Sequence, residues 1–181
     1  MRVISGTARG LKLLSLEGNS TRPTLDNVKE AVFSILYTSA DGAKVLDLFA
    51  GSGQLGIEAL SRGADFCVFA DKSRRAADVA KRNSEKARLS DRCRFIVSDF
   101  KACLNTLSAE NEKFDIIFLD PPYALGFMSD ALKLIKENKL LEEGGVVVAE
   151  YDSGTEFDIQ GYTILKDRKY GRVCINILEE T

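Results

Sequence analysis

From Lys44 to Tyr151 the chain alternates short apolar runs with longer amphipathic ones, and this alternation constrains the fold more than any other feature. KVLDLF is followed by GQLGIEALSR, FCVFA by SRRAADVAKRNSEKAR, RFIV by FKACLNTL and FDIIFL by MSDALKLIKEN, and the series ends on VVVAEY. The apolar runs read as buried strands, and the segments between them carry helical spacing. That order predicts βαβ units, a parallel sheet and helices on both of its faces. After Asp152, YTILKD and RVCINIL, separated by RKYG, predict an antiparallel hairpin closing the sheet edge. At 181 residues one core can form without disulfides or metal, and no repeat or linker divides the chain.

Ahead of this series, VIS and LKLLSL flank the turn-like GTARG and predict a small β-ribbon outside the main core. Residues 1–20 are therefore read as an extension and 21–181 as the principal domain. Thr24 can cap a helix with Asp26 in its first turn, and Val28, Ala31, Val32, Ile35 and Leu36 supply one apolar face.

In open α/β sheets ligands bind beyond the carboxyl ends of the strands, where strand order reverses. Here those ends carry Asp47, Asp71, Asp99 and Asp120. A core gains nothing from four unpaired carboxylates, so they are expected to line a cleft. Gly51-Ser52-Gly53-Gln54-Leu55-Gly56 satisfies G-x-G-x-x-G after a strand, and Asp71 follows Gly51 at the distance of a ribose-binding acid. That pattern suits a dinucleotide, but Asp47 at the same strand end would repel a pyrophosphate and attract a cation. S-adenosylmethionine matches better: a ribose for Asp71, an ammonium near the Asp47 loop and an adenine amine for Asp99. A plain strand-to-helix turn, an NAD or FAD site, and Asp99 as a helix N-cap remain open alternatives.

The segment Phe118-Leu119-Asp120-Pro121-Pro122-Tyr123 ends a strand abruptly in a chain with three prolines. Each proline removes a backbone donor and fixes φ, so Asp120 and Tyr123 are held stiffly where the strand stops. The alternative is a proline-terminated strand with an incidental acid.

The chain has no histidine, and its four cysteines form no C-x-x-C pair. This argues against zinc and disulfides and excludes Ser-His-Asp and Cys-His nucleophiles, leaving carboxylates, backbone groups or a cofactor for chemistry. The start MRVISGTARGLKLL lacks the unbroken apolar stretch of a signal peptide, and no run spans a bilayer, so a cytoplasmic address with no membrane partner is expected. Net charge is −2, yet residues 1–29 carry five basic against two acidic residues. They are either an RNA-facing arm or a solvated one.

Taken together, TRPTLDNVKEAVFSIL, VLDLFAGSGQLGIEALSRGA, Asp71, SDF, FDIIFLDPPY and GRVCINIL resemble the RsmD-like family of bacterial enzymes. These are class I methyltransferases that methylate the N2 amine of a guanine in 16S ribosomal RNA. The resemblance covers essentially the whole chain. It implies a Rossmann-like, mostly parallel seven-stranded sheet, S-adenosyl-L-methionine as cofactor, and 16S RNA, in a partly assembled small subunit or alone, as partner of a monomer. It also implies that Asp47, Phe49, Gly51 and Gly53 cradle the methionine part, that Asp71 holds the ribose, that Asp99 and Phe100 bracket the adenine, and that Arg22, Pro23 and Thr24 close over the cofactor. Arg2, Arg9 and Lys12 on the ribbon would dock RNA. Departures are Asp71 where glutamate is usual, Asn27 in place of arginine, and Tyr123 where many members have phenylalanine.

Under that reading Asp120 and the Pro121 carbonyl accept hydrogen bonds from the target amine and localise its lone pair. Pro122 stiffens the corner and Tyr123 stacks on the base. Adenine N6 methylation and a non-catalytic RNA-binding assembly factor are the competing functions.

Overall fold

A computed structural model describes residues 1–16, 26–36, 40–122 and 126–181. Along the chain lie α1 (Asp26–Ile35), β1 (Lys44–Asp47), α2 (Gln54–Ser61), β2 (Phe66–Asp71), α3 (Arg74–Ala87), β3 (Cys93–Val97), α4 (Phe100–Ala109), β4 (Phe114–Leu119), α5 (Phe127–Glu137), β5 (Leu141–Asp152), β6 (Tyr162–Tyr170) and β7 (Val173–Glu180). The strands form one seven-stranded sheet in the order β3-β2-β1-β4-β5-β7-β6. β1 to β5 pair in parallel, and β7 runs antiparallel to both β5 and β6. The chain starts at β1 in mid-sheet, moves out to β3 and returns to β4 on the other side of β1, so strand order reverses between β1 and β4.

Each central strand feeds two cores, which is why it reads as a continuous apolar run. Val45, Ile116, Phe118 and Val148 pack with α1 and α2 on one face, and Leu46, Ile117, Leu119 and Val147 with α4 and α5 on the other. Ser73 caps α3 by accepting a bond from Ala76 N at 3.2 Å, and Asp99 caps α4. All four cysteines are free thiols. No helix among the described residues is long and apolar enough to cross a membrane.

The structure alters several expectations. The N-terminal ribbon is a hairpin with one isolated bridge, Arg2 to Lys12, and it does not lie outside the core: Val3 and Leu13 are buried in the α1/α2 layer. Its turn is seated on the end of α2, where Thr7 N donates to Ser61 O at 2.8 Å and Ala8 N to Ser61 Oγ at 2.9 Å. Gly6, at φ +81°, lies so close to Ser61 that a Cβ would overlap its carbonyl. In α1, Val28 and Val32 are buried as expected, as is Leu36 just after it, but so are Lys29 and Phe33. RKYG is not a four-residue turn, because Tyr170 pairs with Val173 and leaves only Gly171 and Arg172 to connect the strands. β6 is an edge strand whose polar residues face water, so its last three residues carry no strand pattern. The capping role of Thr24 falls outside the described residues.

Candidate active site

Beyond the carboxyl ends of β1, β2 and β4 the chain builds a rigid acidic ledge. Asp47 pairs with Phe118 across the β1/β4 boundary, and Leu48 N donates to Phe118 O at 3.2 Å, so the two strands stay in register to their ends. Asp120 follows Leu119 directly, one strand over from Asp47. It is half-buried, Pro121 is buried and Pro122 is exposed.

The glycine loop is fixed from three sides. Ala50 N donates to Ala70 O at 2.9 Å, Gly53 N to Ala50 O at 2.7 Å, and Gly51 N to Asp71 Oδ2 at 2.9 Å. Gly51 and Gly53 have φ of +53° and +77°, a region that penalises any side chain. Gly56 meets a different need: a Cβ there would lie 2.4 Å from the Phe69 ring and 2.6 Å from Cys67 Sγ, so glycine lets α2 press against β2. Asp71 also accepts from Ser73 N at 2.8 Å, which orients the carboxylate at the start of α3.

Asn83 was not anticipated. It sits fully buried on α3, donates to Ser52 O at 2.9 Å and Leu14 O at 3.0 Å, and accepts from Leu14 N at 2.7 Å. One side chain thus ties the glycine loop to the N-terminal segment. The available signal was a lone amide on the small-residue face Ala76-Ala80-Asn83 of an otherwise charged helix.

Asp47 is 3% exposed, and burial pushes its carboxyl up to about 7; nearby Asp71 adds to the rise, while the bond from Gly56 N at 3.0 Å opposes it. An acid raised from 3.8 to about 7 stays protonated in the folded chain after the unfolded chain has ionised, so through this group stability falls as pH rises across that window and is level above it. Asp47→Asn keeps an acceptor for Gly56 and removes the penalty. The ligand-free variant is expected to melt several degrees above the parent at pH 8 and close to it near pH 4. Equal differences at the two pH values in a calorimetric scan would contradict a raised carboxyl.

Asp99 accepts from Lys101 N at 3.0 Å and Ala102 N at 3.1 Å, both through Oδ1, so it is the N-cap of α4. Phe49, Phe100 and Phe127 form an aromatic floor beside it, with ring centroids 5.3–6.5 Å apart. Phe127 was not anticipated, because the sequence reading starts that helix at Met128. Gln54 Oε1, at the first residue of α2, is buried without a hydrogen-bond partner among the described residues. Residues 47–53, 71, 97–100 and 119–122 contain four acids and no basic residue. Such a ledge suits a ligand with a hydrogen-bond-donating or cationic end and an aromatic ring, and it disfavours a pyrophosphate.

The ledge thus brings Asp47, Phe49, Gly51, Gly53, Asp71, Asp99, Phe100, Asp120, Pro121 and Pro122 to one edge of the sheet. Arg22 and Tyr123 lie outside the described residues. Arg2, Arg9 and Lys12 are not on the ledge but exposed on the hairpin, where Arg2 pairs with Asp26 at 3.3 Å.

The strand order, with a glycine loop after β1 and an acid-proline corner after β4, defines a class I methyltransferase fold. The family described as Conserved hypothetical protein 95 matches residues 1–179. A Bacillus subtilis (strain 168) protein, YlbH, named provisionally as an rRNA methyltransferase, is 44% identical over 182 residues, covering 99% of each chain. A Haemophilus influenzae protein named ribosomal RNA small subunit methyltransferase D is 31% identical over 180 residues, covering 99% of this chain and 93% of its own. A solved Thermus thermophilus protein superposes with a TM-score of 0.86 at 27% identity, covering 99% of both chains. The chain belongs to the RsmD-like methyltransferase family.

Proposed function

We propose that this chain transfers a methyl group from S-adenosyl-L-methionine to the exocyclic N2 amine of a guanine in 16S ribosomal RNA. The observation that carries the reading is Asp120, set on the ledge one strand from Asp47 and followed by a buried proline. When bound, the cofactor supplies a sulfonium-activated methyl group. Asp47 and the loop from Gly51 to Gly53 would hold its methionine end, Asp71 its ribose, and the aromatic floor its adenine.

The N2 amine is a weak nucleophile because its lone pair is delocalised into the ring. The Asp120 carboxylate and the Pro121 carbonyl, accepting its two N–H bonds, make the nitrogen more tetrahedral and free the pair for attack. As the new N–C bond forms, the bond from the methyl carbon to the donor's sulfur would break with its electron pair left on sulfur; positive charge grows on nitrogen beside a fixed carboxylate, and that carboxylate takes the proton released. Tyr123 stacks on the base, which has left its helix or loop, and Arg22 closes over the cofactor. The hairpin with Arg2, Arg9 and Lys12 docks the RNA and the remainder, from residue 21, carries the chemistry. The relatives' names favour ribosomal RNA, and a chain acting on it works in the cytoplasm. Both sheet faces are covered within one copy, which suits a monomer.

Transfer of tritiated methyl to naked 16S RNA, to small subunits from cells lacking this protein and to duplex DNA tests the reading. Label is expected in ribosomal RNA, and nuclease digestion followed by mass spectrometry is expected to place it on guanine N2. Label on adenine, or in DNA alone, would refute the guanine assignment.

A further inference from the structure

Residues 72–88, which contain α3, hold seven basic and two acidic residues in a chain whose net charge is −2. The buried side of the helix is Ala76, Ala77, Ala80, Asn83 and Ser84, so Lys72, Arg74, Arg75, Lys81, Arg82, Lys86 and Arg88 are all exposed. The helix is anchored by its small residues, by the Ser73 cap and by Asn83.

The placement of the charge is what matters. Arg75, Arg82 and Lys86, at i, i+7 and i+11, share the stripe that faces the N-terminal segment. Lys86 Nζ donates to Lys12 O at 2.6 Å, and Asn83 holds Leu14, so residues 12–16 run alongside α3 in the opposite direction. Between them lies a groove of about 330 Å³, lined by Leu14 and Leu16 on one side and by Arg75, Asp78, Val79 and Arg82 on the other. It starts near Lys12 and Lys86 and ends at the first turn of α3, directly after Asp71. One wall thus presents basic groups along a track leading to the ledge, and Asp78 is the only acid lining it among the described residues.

We infer that this groove carries the phosphate backbone of the RNA substrate toward the site, with Arg75 and Arg82 as phosphate-binding groups and Lys12 and Lys86 at its outer end. The inference rests on the proposed RNA methylation and adds a surface to it. Cationic side chains that neutralise phosphates release counterions, so removing each such cation lowers the salt dependence of binding by a fixed step.

The test is Arg75→Gln/Arg82→Gln in the full chain, with unmethylated 16S RNA transcript for binding and small subunits from cells lacking the protein for turnover. The expected result is a KM for subunits raised on the order of tenfold with kcat within about two-fold, and a log–log salt slope for the transcript shallower by about 1.5. Affinity for S-adenosylhomocysteine is expected to stay unchanged. Arg82→Gln alone should give about half the slope change, which keeps the test decisive if the double variant folds poorly. Lys133→Gln/Lys139→Gln, on and just after α5 across the sheet, removes the same charge and is expected to alter neither KM nor slope. An active parent whose Arg75/Arg82 variant keeps parental KM and slope overturns the groove and leaves RNA methylation standing. An equal loss in the α5 pair also overturns it, because net charge alone would then explain the effect. A parent that neither binds nor methylates RNA removes both readings.

Discussion

Asp120→Ala is expected to lower methyl transfer by roughly 10³-fold or more while leaving affinity for S-adenosylhomocysteine within a few-fold of the parent. The separation follows from position. The glycine loop and Asp71 are held by bonds among β1, β2 and the start of α3: Ala50 N to Ala70 O, Gly53 N to Ala50 O, Gly51 N to Asp71 and Ser73 N to Asp71. The cofactor cradle should therefore survive the change. Asp120→Asn sharpens the test: its amide oxygen still accepts a bond from the target amine but cannot take the released proton. A rate between those of the parent and the alanine variant would indicate that acceptor geometry and proton uptake each contribute. Isothermal titration and single-turnover transfer at saturating RNA measure the two quantities separately. Unimpaired transfer by Asp120→Ala would remove Asp120 from the chemistry, and an inactive parent that still binds RNA and cofactor would support the assembly-factor alternative.

Much of this fold was legible because a parallel sheet with helices on both faces makes its strands apolar throughout. FDIIFL became β4 with the bounds expected, and the reversal of strand order falls between KVLDLF and FDIIFL. The glycine loop was legible for a similar reason: Gly51 and Gly53 need positive φ, and Gly56 needs the space of a Cβ, so each leaves a mark in the sequence. Long-range polar pairing leaves no such mark. Asn83 meets Leu14 and Ser52 from a distant helix, and Phe127 reaches Phe49 and Phe100 only after three segments converge. Asp99 shows both sides of the problem, since its capping role was local and readable while a role toward adenine depends on a bound ligand.

Lys29 is the clearest instance of what local pattern hides, and it carries the largest stability prediction. A lysine early in an amphipathic helix reads as solvated, yet both Lys29 and Glu58 have no exposed side-chain surface, and they lie 3.3 Å apart. Glu58 also accepts from Ile4 N at 2.8 Å, Ser5 N at 3.0 Å and Arg62 Nε at 2.8 Å, and Lys29 donates to Arg2 O. One buried carboxylate therefore joins α1, α2 and the hairpin. Replacing an ion pair by apolar groups can be neutral, but removing one partner strands the other charge, at a cost of about 3–5 kcal/mol. Glu58→Gln is expected to lose that much, roughly 10 °C in melting temperature for a chain of this size.

Burial already lowers the Lys29 amine below its ordinary 10.5, and Glu58 is the main influence opposing that shift. Without the carboxylate the amine drops further. A lysine depressed in the folded state binds fewer protons than in the unfolded state, so between its folded value and 10.5 stability rises with pH. The deficit of Glu58→Gln should accordingly shrink as pH rises from 7 toward 10, and Lys29→Met added to it should restore part of the loss at pH 7 by removing the stranded charge. Strict additivity of the two substitutions in urea unfolding would show that the charges do not depend on each other, and the seating of the hairpin would then not rest on their coupling.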